Sequence, residues 1–439
     1  MSFNVSYFKT LCEKYSTWAD TKAYLEGEKL RVVEEEGVAV IRYEKGQEVA
    51  EELGVWRSVV WDTAKNVPVC VAPARAREGL PPTGVKLSST EDFVDGFMVN
   101  AWLSGSTLQV ATRTKIGGDN TYYSEKTFGQ LFEEAVAASP LKTMEALRAA
   151  LAGVLEDVSG GVSAFVSFVV LHPEHRIVGK VGAPKLYVVH TGYSGLDGAV
   201  QIAERSVNWP EAFAKLQISS YPQRQFKDEE EVKAFLESTA AERGWRWKGL
   251  VFKDGVGGRW RMCSATYLKL RQLRGSEATA LERFFRLRAQ RKVVDYLKHY
   301  TEERDQFWQY ETEMRGKTAD VLAAYTDVHK AHAVKFKELP DALRPAVFLL
   351  HSLWRDKLRE KGFAVRLQNA ITVVNGMRGF EKKRLMDSAP YEAVSPQRVT
   401  DRDGLLTEEQ LAGRPEEYPA EEVEEAEEAE EAEEAEEAD

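Results

Sequence analysis

Cysteine is scarce. Cys12, Cys70 and Cys263 are the only three in 439 residues, and no two form a C-x-x-C pair. This pattern argues against a disulfide scaffold or a zinc knuckle and fits a reducing compartment. Long apolar runs are also missing. No stretch approaches the ~18 uninterrupted apolar residues that a membrane span needs, and Met1 to Trp18 lacks the apolar centre of a signal sequence. An intracellular protein of the cytoplasm or nucleus, without membrane association, is expected. Histidine is sparse, and although His329 and His332 have H-x-x-H spacing, no acidic partner is placed beside them, so no metal site is assigned. Gly255, Gly257 and Gly258 precede no helix, which argues against a phosphate loop. No Ser-His-Asp order stands out.

What is present is a normal supply of core material, 43% hydrophobic and 10% aromatic, in a chain long enough for two or three compact units. The net charge of −11 is unevenly divided. Glu416 to Asp439 holds 15 acidic residues and no Lys or Arg, which leaves +4 on residues 1–415. A mildly basic body with an acidic tail is compatible with nucleic-acid binding and a solvated tail.

Residues 1–29 read as a helix and lead-in. Strand-like runs dominate from about Leu30 to Gly275: Gly37–Tyr43, Trp56–Trp61, Val67–Ala72, Gly96–Leu103, Leu108–Thr112, Ser163–Leu171, Leu186–His190 and Gly249–Lys253. Helical periodicity interrupts them at Thr127–Ala138, Thr143–Val158 and Glu229–Ala241. Such scattered helices predict α+β architecture rather than a regular βαβ wind. Residues 276–386 read as a second, helical domain of three or four packed helices. From 387 to 439 the chain is poor in large apolar residues and ends in five Glu-Glu-Ala copies, a three-residue period that builds no apolar face. That tail is expected to be disordered.

Several segments, in order, carry a resemblance. W-R-S-V-V-W-D (56–62) and V-C-V-A-P (69–73) precede E-D-F-V-D-G-F-M-V-N-A-W (91–102) and L-Q-V-A-T-R-T-K (108–115). F-V-V-L-H-P-E-H-R-I-V (168–178), K-G-L-V-F-K (248–253) and R-M-C-S-A-T-Y (261–267) follow. This series resembles the motifs of phage-type RNA ligases: R-G-I-V-F-D, V-A-R-P, K-x-D-G-S, A-T-R-G, F-E-x-x-x-P-x-N-R-I-V, E-G-x-V-x-K and K-x-K-x-x-x-Y. It is similar also to RNA-ligase-like proteins of large DNA viruses, in which a helical region follows L-R-G, here Leu273-Arg274-Gly275. The resemblance implies a nucleotidyltransferase core over residues 30–275, ahead of the helical domain, with a virus-encoded protein as one source.

The family's chemistry begins when a lysine amine attacks the α-phosphorus of ATP. Phe93 stands at that lysine's place, and a phenyl ring cannot be nucleotidylated. Val169 and Lys248 stand where the family has carboxylates that hold the ribose and the divalent metal; Arg261 and Cys263 stand where it has lysines. A lysine at the second carboxylate reverses the charge where Mg²⁺ would sit. Asp95, Gly96, Arg57, Arg113, Arg176 and Tyr267 are retained. Catalytic residues are therefore not assigned. Arg57, Asp95, Gly96, Arg113, Lys253 and Arg261 are the candidates for nucleotide or phosphate binding. The ordinary alternative for Arg57 and Arg113 is a salt bridge on a strand.

A dense basic run with interleaved aromatics, including Arg271, Arg274, Arg283, Arg286 and Arg288 beside Tyr267, Phe284 and Phe285, supplies RNA-binding candidates. The competing reading places the aromatics in a core and the charges on a solvated helix face. Taken together, the resemblance implies an RNA-ligase-like pseudoenzyme in RNA or nucleotide binding or in scaffolding. No cofactor is required, ATP and Mg²⁺ remain compatible, and protein partners would meet the helical domain or the acidic tail. Two rivals stand. One is an active, divergent ATP-dependent ligase using a relocated lysine, with Lys86, Lys115 or Lys253 as candidates; the other is a structural or virion-assembly protein.

Overall fold

The computed structural model describes residues 2–44, 51–82, 84–156, 158, 160–203, 209–221, 226 and 228–395. The Glu-Glu-Ala repeats lie outside the described residues. The architecture is mixed α+β, and the chain divides into two compact units, Met1–Arg283 and Phe284–Asp439.

Three sheets build the first unit. A six-stranded antiparallel sheet runs, in spatial order, Ser2–Val5, Val200–Ala203, Lys185–Gly195, Gly161–Leu171, Phe97–Ser104 and Thr107–Ala111. Its central strand, Gly161–Leu171, is buried on both faces and reads as a near-continuous apolar run rather than an alternating one. One four-stranded sheet joins Arg31–Glu35, Val38–Arg42, Val59–Asp62 and Val67–Val71 in chain order. The other orders Arg77–Glu78, Arg259–Cys263, Gly249–Lys253 and Ser89–Asp92.

Polar bonds tie the first two sheets. Ser163 Oγ donates to Val69 O at 2.8 Å, and His190 Nε2 lies 2.9 Å from Val71 O and 3.1 Å from Ser167 Oγ. Burial and the nearby cations Arg259 and Lys253 push His190 down to about 3, so the ring stays neutral there.

The helices Phe128–Ala138 and Met144–Glu156 cover the six-stranded sheet, burying Phe132, Val136, Leu147 and Leu151 against Val99, Val166 and Phe168. A capping box formed by Thr127 and Gln130 starts the first of them. Glu229–Arg243, capped by Asp228, packs Val232 and Leu236 with Trp247, Phe252 and Trp260 behind the sheet that contains Ser89–Asp92.

Five of the eight expected strands match closely, and Gly249–Lys253 matches residue for residue. Gly161–Leu171 and Lys185–Gly195 run longer than their apolar kernels. Trp56 belongs to a short 3-10 segment, and the strand after it begins only at Val59. The amino-terminal lead-in starts with the edge strand Ser2–Val5 before the helices Ser6–Lys14 and Trp18–Gly27.

The second unit contains more helices than its periodicity suggested. Val293–His299, Arg304–His329, Arg344–Leu353, Leu367–Gly376 and Gly379–Met386 follow the end of Ala280–Ala289. Its aromatic centre packs Phe284 against Phe307 and Tyr310, with Tyr296 and Tyr300 stacked at 4.3 Å. Residues 388–395, expected to belong to the disordered tail, instead bind the helix Arg304–His329. There the buried Asp327 carboxylate accepts bonds from Tyr391 Oη at 2.9 Å, Val394 N at 2.8 Å and Ser395 N at 3.1 Å.

Candidate functional site

Antiparallel pairing of Ser89–Asp92 with Gly249–Lys253 brings two of the sequence motifs together. Phe93 N donates to Gly249 O at 2.8 Å, so F-V-D-G and K-G share one corner. Their glycines are sterically required. A Cβ on Gly96 would lie 2.2 Å from Val170 O, and one on Gly249, whose φ is +138°, would lie 2.1 Å from Met262 O.

Asp95 organises the corner. Its buried carboxylate accepts from Tyr267 Oη at 2.5 Å, Val178 N at 3.0 Å and Gly179 N at 3.2 Å, and pairs with Lys248 Nζ at 3.4 Å. The same ammonium lies 3.9 Å from the centroid of the Phe93 ring. Burial pulls the Lys248 pKa below its ordinary value, and Asp95 works against that pull. Burial also raises the Tyr267 phenol, so that it stays a donor.

Val169 lies opposite Met98, in a small apolar cluster with Val189, Ile218 and Val94. None of the three lysines considered as a displaced nucleophile is placed at the Phe93 ring. Lys253 is fully buried and pairs with Glu91 at 2.9 Å, Lys115 pairs with Glu35 at 3.2 Å, and Lys86 is exposed. The lysine that reaches Phe93 is Lys248, which the motif comparison had read only as a reversed charge.

A cationic group adjoins this corner. The strand Arg259–Cys263 alternates faces, so Arg259, Arg261 and Cys263 share the side opposite Trp260 and Met262. Arg261 forks onto Glu78 at 2.9 and 2.8 Å, with its guanidinium 5.7 Å from the Phe93 centroid. Arg113 donates to Arg57 O at 3.1 Å and Tyr43 O at 2.9 Å and lies over the Tyr43 ring. These bonds clamp backbone and occupy its fork.

Arg57 is different. Its side chain is half-buried and has no hydrogen-bond or ion-pair partner among the described residues. Burial, and then the guanidinium groups of Arg259, Arg113 and Arg261, push its pKa down to about 10. It stays protonated at neutral pH as a half-buried cation with no counter-charge among the described residues, an arrangement that an anion would complete. Arg259 escaped the motif comparison, although the R-W-R alternation at 259–261 was visible.

The basic run after Tyr267 does not form one outward stripe. Arg274 is buried and lies 4.1 Å from the Tyr123 ring centroid, Arg283 is buried, and Arg271 donates to Gly275 O. Arg286 bonds Gln290 at 3.1 Å, and Arg288 bonds Glu311 at 2.9 Å and also Asn375. Phe284 and Phe285 are core residues.

One metal-ligand cluster occurs among the described residues: Glu134, His172 and Glu174, whose ligand atoms lie within 4.8 Å of one another. Lys126 bridges both carboxylates at 2.8 and 2.7 Å. His172 Nδ1 accepts from Glu174 N, which leaves Nε2–H to donate to Glu134. A divalent ion would have to displace that ammonium and change the tautomer.

His175 is buried among the rings of Phe97, Tyr123 and Phe128, and neither ring nitrogen has a hydrogen-bond partner among the described residues. Burial pushes its pKa down to about 4. No helix among the described residues is long and apolar enough to cross a membrane. Comparison with protein-family models and with curated proteins finds no match.

Proposed function

We propose that this chain is an RNA-ligase-like protein of the nucleotidyltransferase fold that does not transfer adenylate and instead binds RNA or nucleotide phosphates. The observation that carries the reading is the contact of Lys248 with Phe93 and Asp95. Under the motif correspondence, those three residues occupy the places of the nucleophile, the metal-holding carboxylate and the retained Asp of the turn. An aromatic ring replaces the amine, and an ammonium replaces the acid.

The donor set does not suit Mg²⁺. Lys248, Arg57, Arg259 and Arg261 are cations, Asp95 is committed to four partners, and Glu91 is paired with Lys253. Phosphate oxygens suit the same surroundings, with Arg57 as the principal contact. The helical unit would add contacts to RNA or to a partner protein.

The test is incubation of purified protein with MgCl₂ and α-³²P-labelled ATP or GTP. The expected result is no covalent, alkali-stable nucleotide adduct together with measurable, salt-sensitive binding of ATP or single-stranded RNA. An adduct would overturn the non-catalytic reading. One observation favours a second reading, an active ligase: the amine of Lys248 is desolvated, which raises its neutral fraction and hence its nucleophilicity. An adduct that disappears in Lys248→Arg would establish it.

A further inference from the structure

The second unit contains a groove of about 590 Å³, a size suited to one small molecule or one nucleotide. Three separate stretches wall it. Arg288 and Ala289 end one helix, and Arg291 follows in the turn. Glu311, Arg315 and Thr318 come from one face of Arg304–His329, at the three- and four-residue spacing of a helix. Gln368, Ile371, Thr372 and Asn375 come from Leu367–Gly376.

The charges are arranged rather than scattered. Glu311 divides its two oxygens between Arg288 at 2.9 Å and Arg315 at 2.7 Å, and Arg288 also donates to the Asn375 amide oxygen. One carboxylate therefore orients two guanidinium groups but neutralises only one charge. Arg315 uses only Nε in this pair, so its Nη donors have no partner among the described residues. Arg291 is exposed and has no ion-pair or hydrogen-bond partner for its side chain among the described residues. Its backbone is left-handed, with φ +60°, in the turn where Arg291 N bonds Arg288 O and Lys292 N bonds Leu287 O. Lys382 adds positive potential: its pKa is pulled down by burial and by Arg288. Among the groove's lining residues, three arginines face a single carboxylate.

We propose that this groove binds the phosphate group of a nucleotide, either free or at the end of an RNA strand. Guanidinium forks match phosphate oxygens two at a time, and a dianion takes up the excess positive charge. The wall beyond the arginines is mixed, with Ile371 and Ala319 giving apolar area and the Gln368 and Asn375 amides giving hydrogen-bonding edges. That combination suits a base and sugar attached to the phosphate. A carboxylate ligand would only duplicate what Glu311 already supplies. The groove is independent of the Arg57 region in the first unit, and the inference does not require the ligase-like reading.

The experiment uses the full chain and fluorescence anisotropy with a 3′-labelled, single-stranded RNA twelve-mer carrying either a 5′-phosphate or a 5′-hydroxyl. The expected result is at least tenfold tighter binding of the phosphorylated strand. Arg291→Asn, which keeps a residue tolerant of left-handed backbone, should abolish that preference, and so should Arg315→Lys, which keeps the charge and loses the fork. Arg355→Ala, at an exposed arginine outside the groove's lining, should leave it intact. AMP competing for the groove identifies the free nucleotide as sufficient; failure of AMP beside a strong 5′-phosphate effect assigns the groove to RNA ends. Equal affinity for the two strands, or a preference that survives Arg291→Asn, overturns the proposal. A hexaglutamate peptide that erases the preference for the 5′-phosphorylated strand would overturn it too, by showing that any polyanion suffices.

Discussion

The ammonium of Lys248 rests against the face of Phe93, 3.9 Å from the ring centroid, with Asp95 on its other side at 3.4 Å. The two partners of this ion pair are not equally replaceable. Asp95 has three other donors, whereas Lys248 has no second carboxylate beside it among the described residues. Lys248→Met keeps the length and the contact with the ring and removes a desolvated charge. It is expected to cost less than about 1.5 kcal/mol. Asp95→Ala strands the ammonium and two backbone N–H groups and should cost about 3–5 kcal/mol. Urea denaturation of both variants checks the order; equal losses would show that the pair is not organised around Asp95.

Arg57→Ala separates binding from folding. Removing a half-buried cation with no partner among the described residues should leave the melting temperature unchanged or raised. Affinity for ATP should fall about tenfold or more if one charge-assisted phosphate contact is lost. Calorimetric titration measures it. A drop in stability without a change in affinity would make Arg57 a packing residue.

His175 predicts acid sensitivity with a definite sign. The folded chain binds its proton only near pH 4, while an unfolded histidine binds it near 6.5. Between these values the unfolded chain holds more protons, so stability falls as pH drops through that window. The loss saturates at about 3 kcal/mol for this residue. His175→Phe offers the Phe97, Tyr123 and Phe128 cage another ring and is expected to flatten the pH dependence between 6.5 and 4 at little cost at neutral pH. Melting temperatures of both proteins across that range decide the point.

Gly96→Ala and Gly249→Ala should each destabilise by more than about 2 kcal/mol, because the new methyl meets backbone rather than a movable side chain. Gly54→Ala, which meets nothing within 4 Å, is the control. Thermal melts in which all three variants coincide would refute the packing account.

What the sequence shows about this molecule follows how locally each feature is encoded. Gly249–Lys253 is apolar, β-branched and bounded by a glycine, so its limits could be read directly. Its neighbour Ser89–Asp92 is Ser-Thr-Glu-Asp and carries no apolar alternation; it is a strand because Glu91 finds Lys253 and Asp92 finds Tyr221, Trp247 and Arg243. Those partners are more than a hundred residues away, and propensity cannot see them. The contact of Lys248 with Phe93 is hidden from the sequence for the same reason. The lysine's place in K-G was visible, but its reach across to Phe93 depends on strand pairing. In the helical region, the break after Ala289 depends on a left-handed Arg291, a conformation that an arginine codon does not announce.

The close approaches at Gly96 and Gly249 bear on what persistence of a motif can mean. Where a missing methyl is demanded by a neighbouring carbonyl, substitution is penalised whether or not any reaction takes place. Asp-Gly and Lys-Gly pairs at this corner would endure under selection for shape alone, so the durable part of such a signature reports the course of the backbone, while the replaceable side chains beside it report turnover.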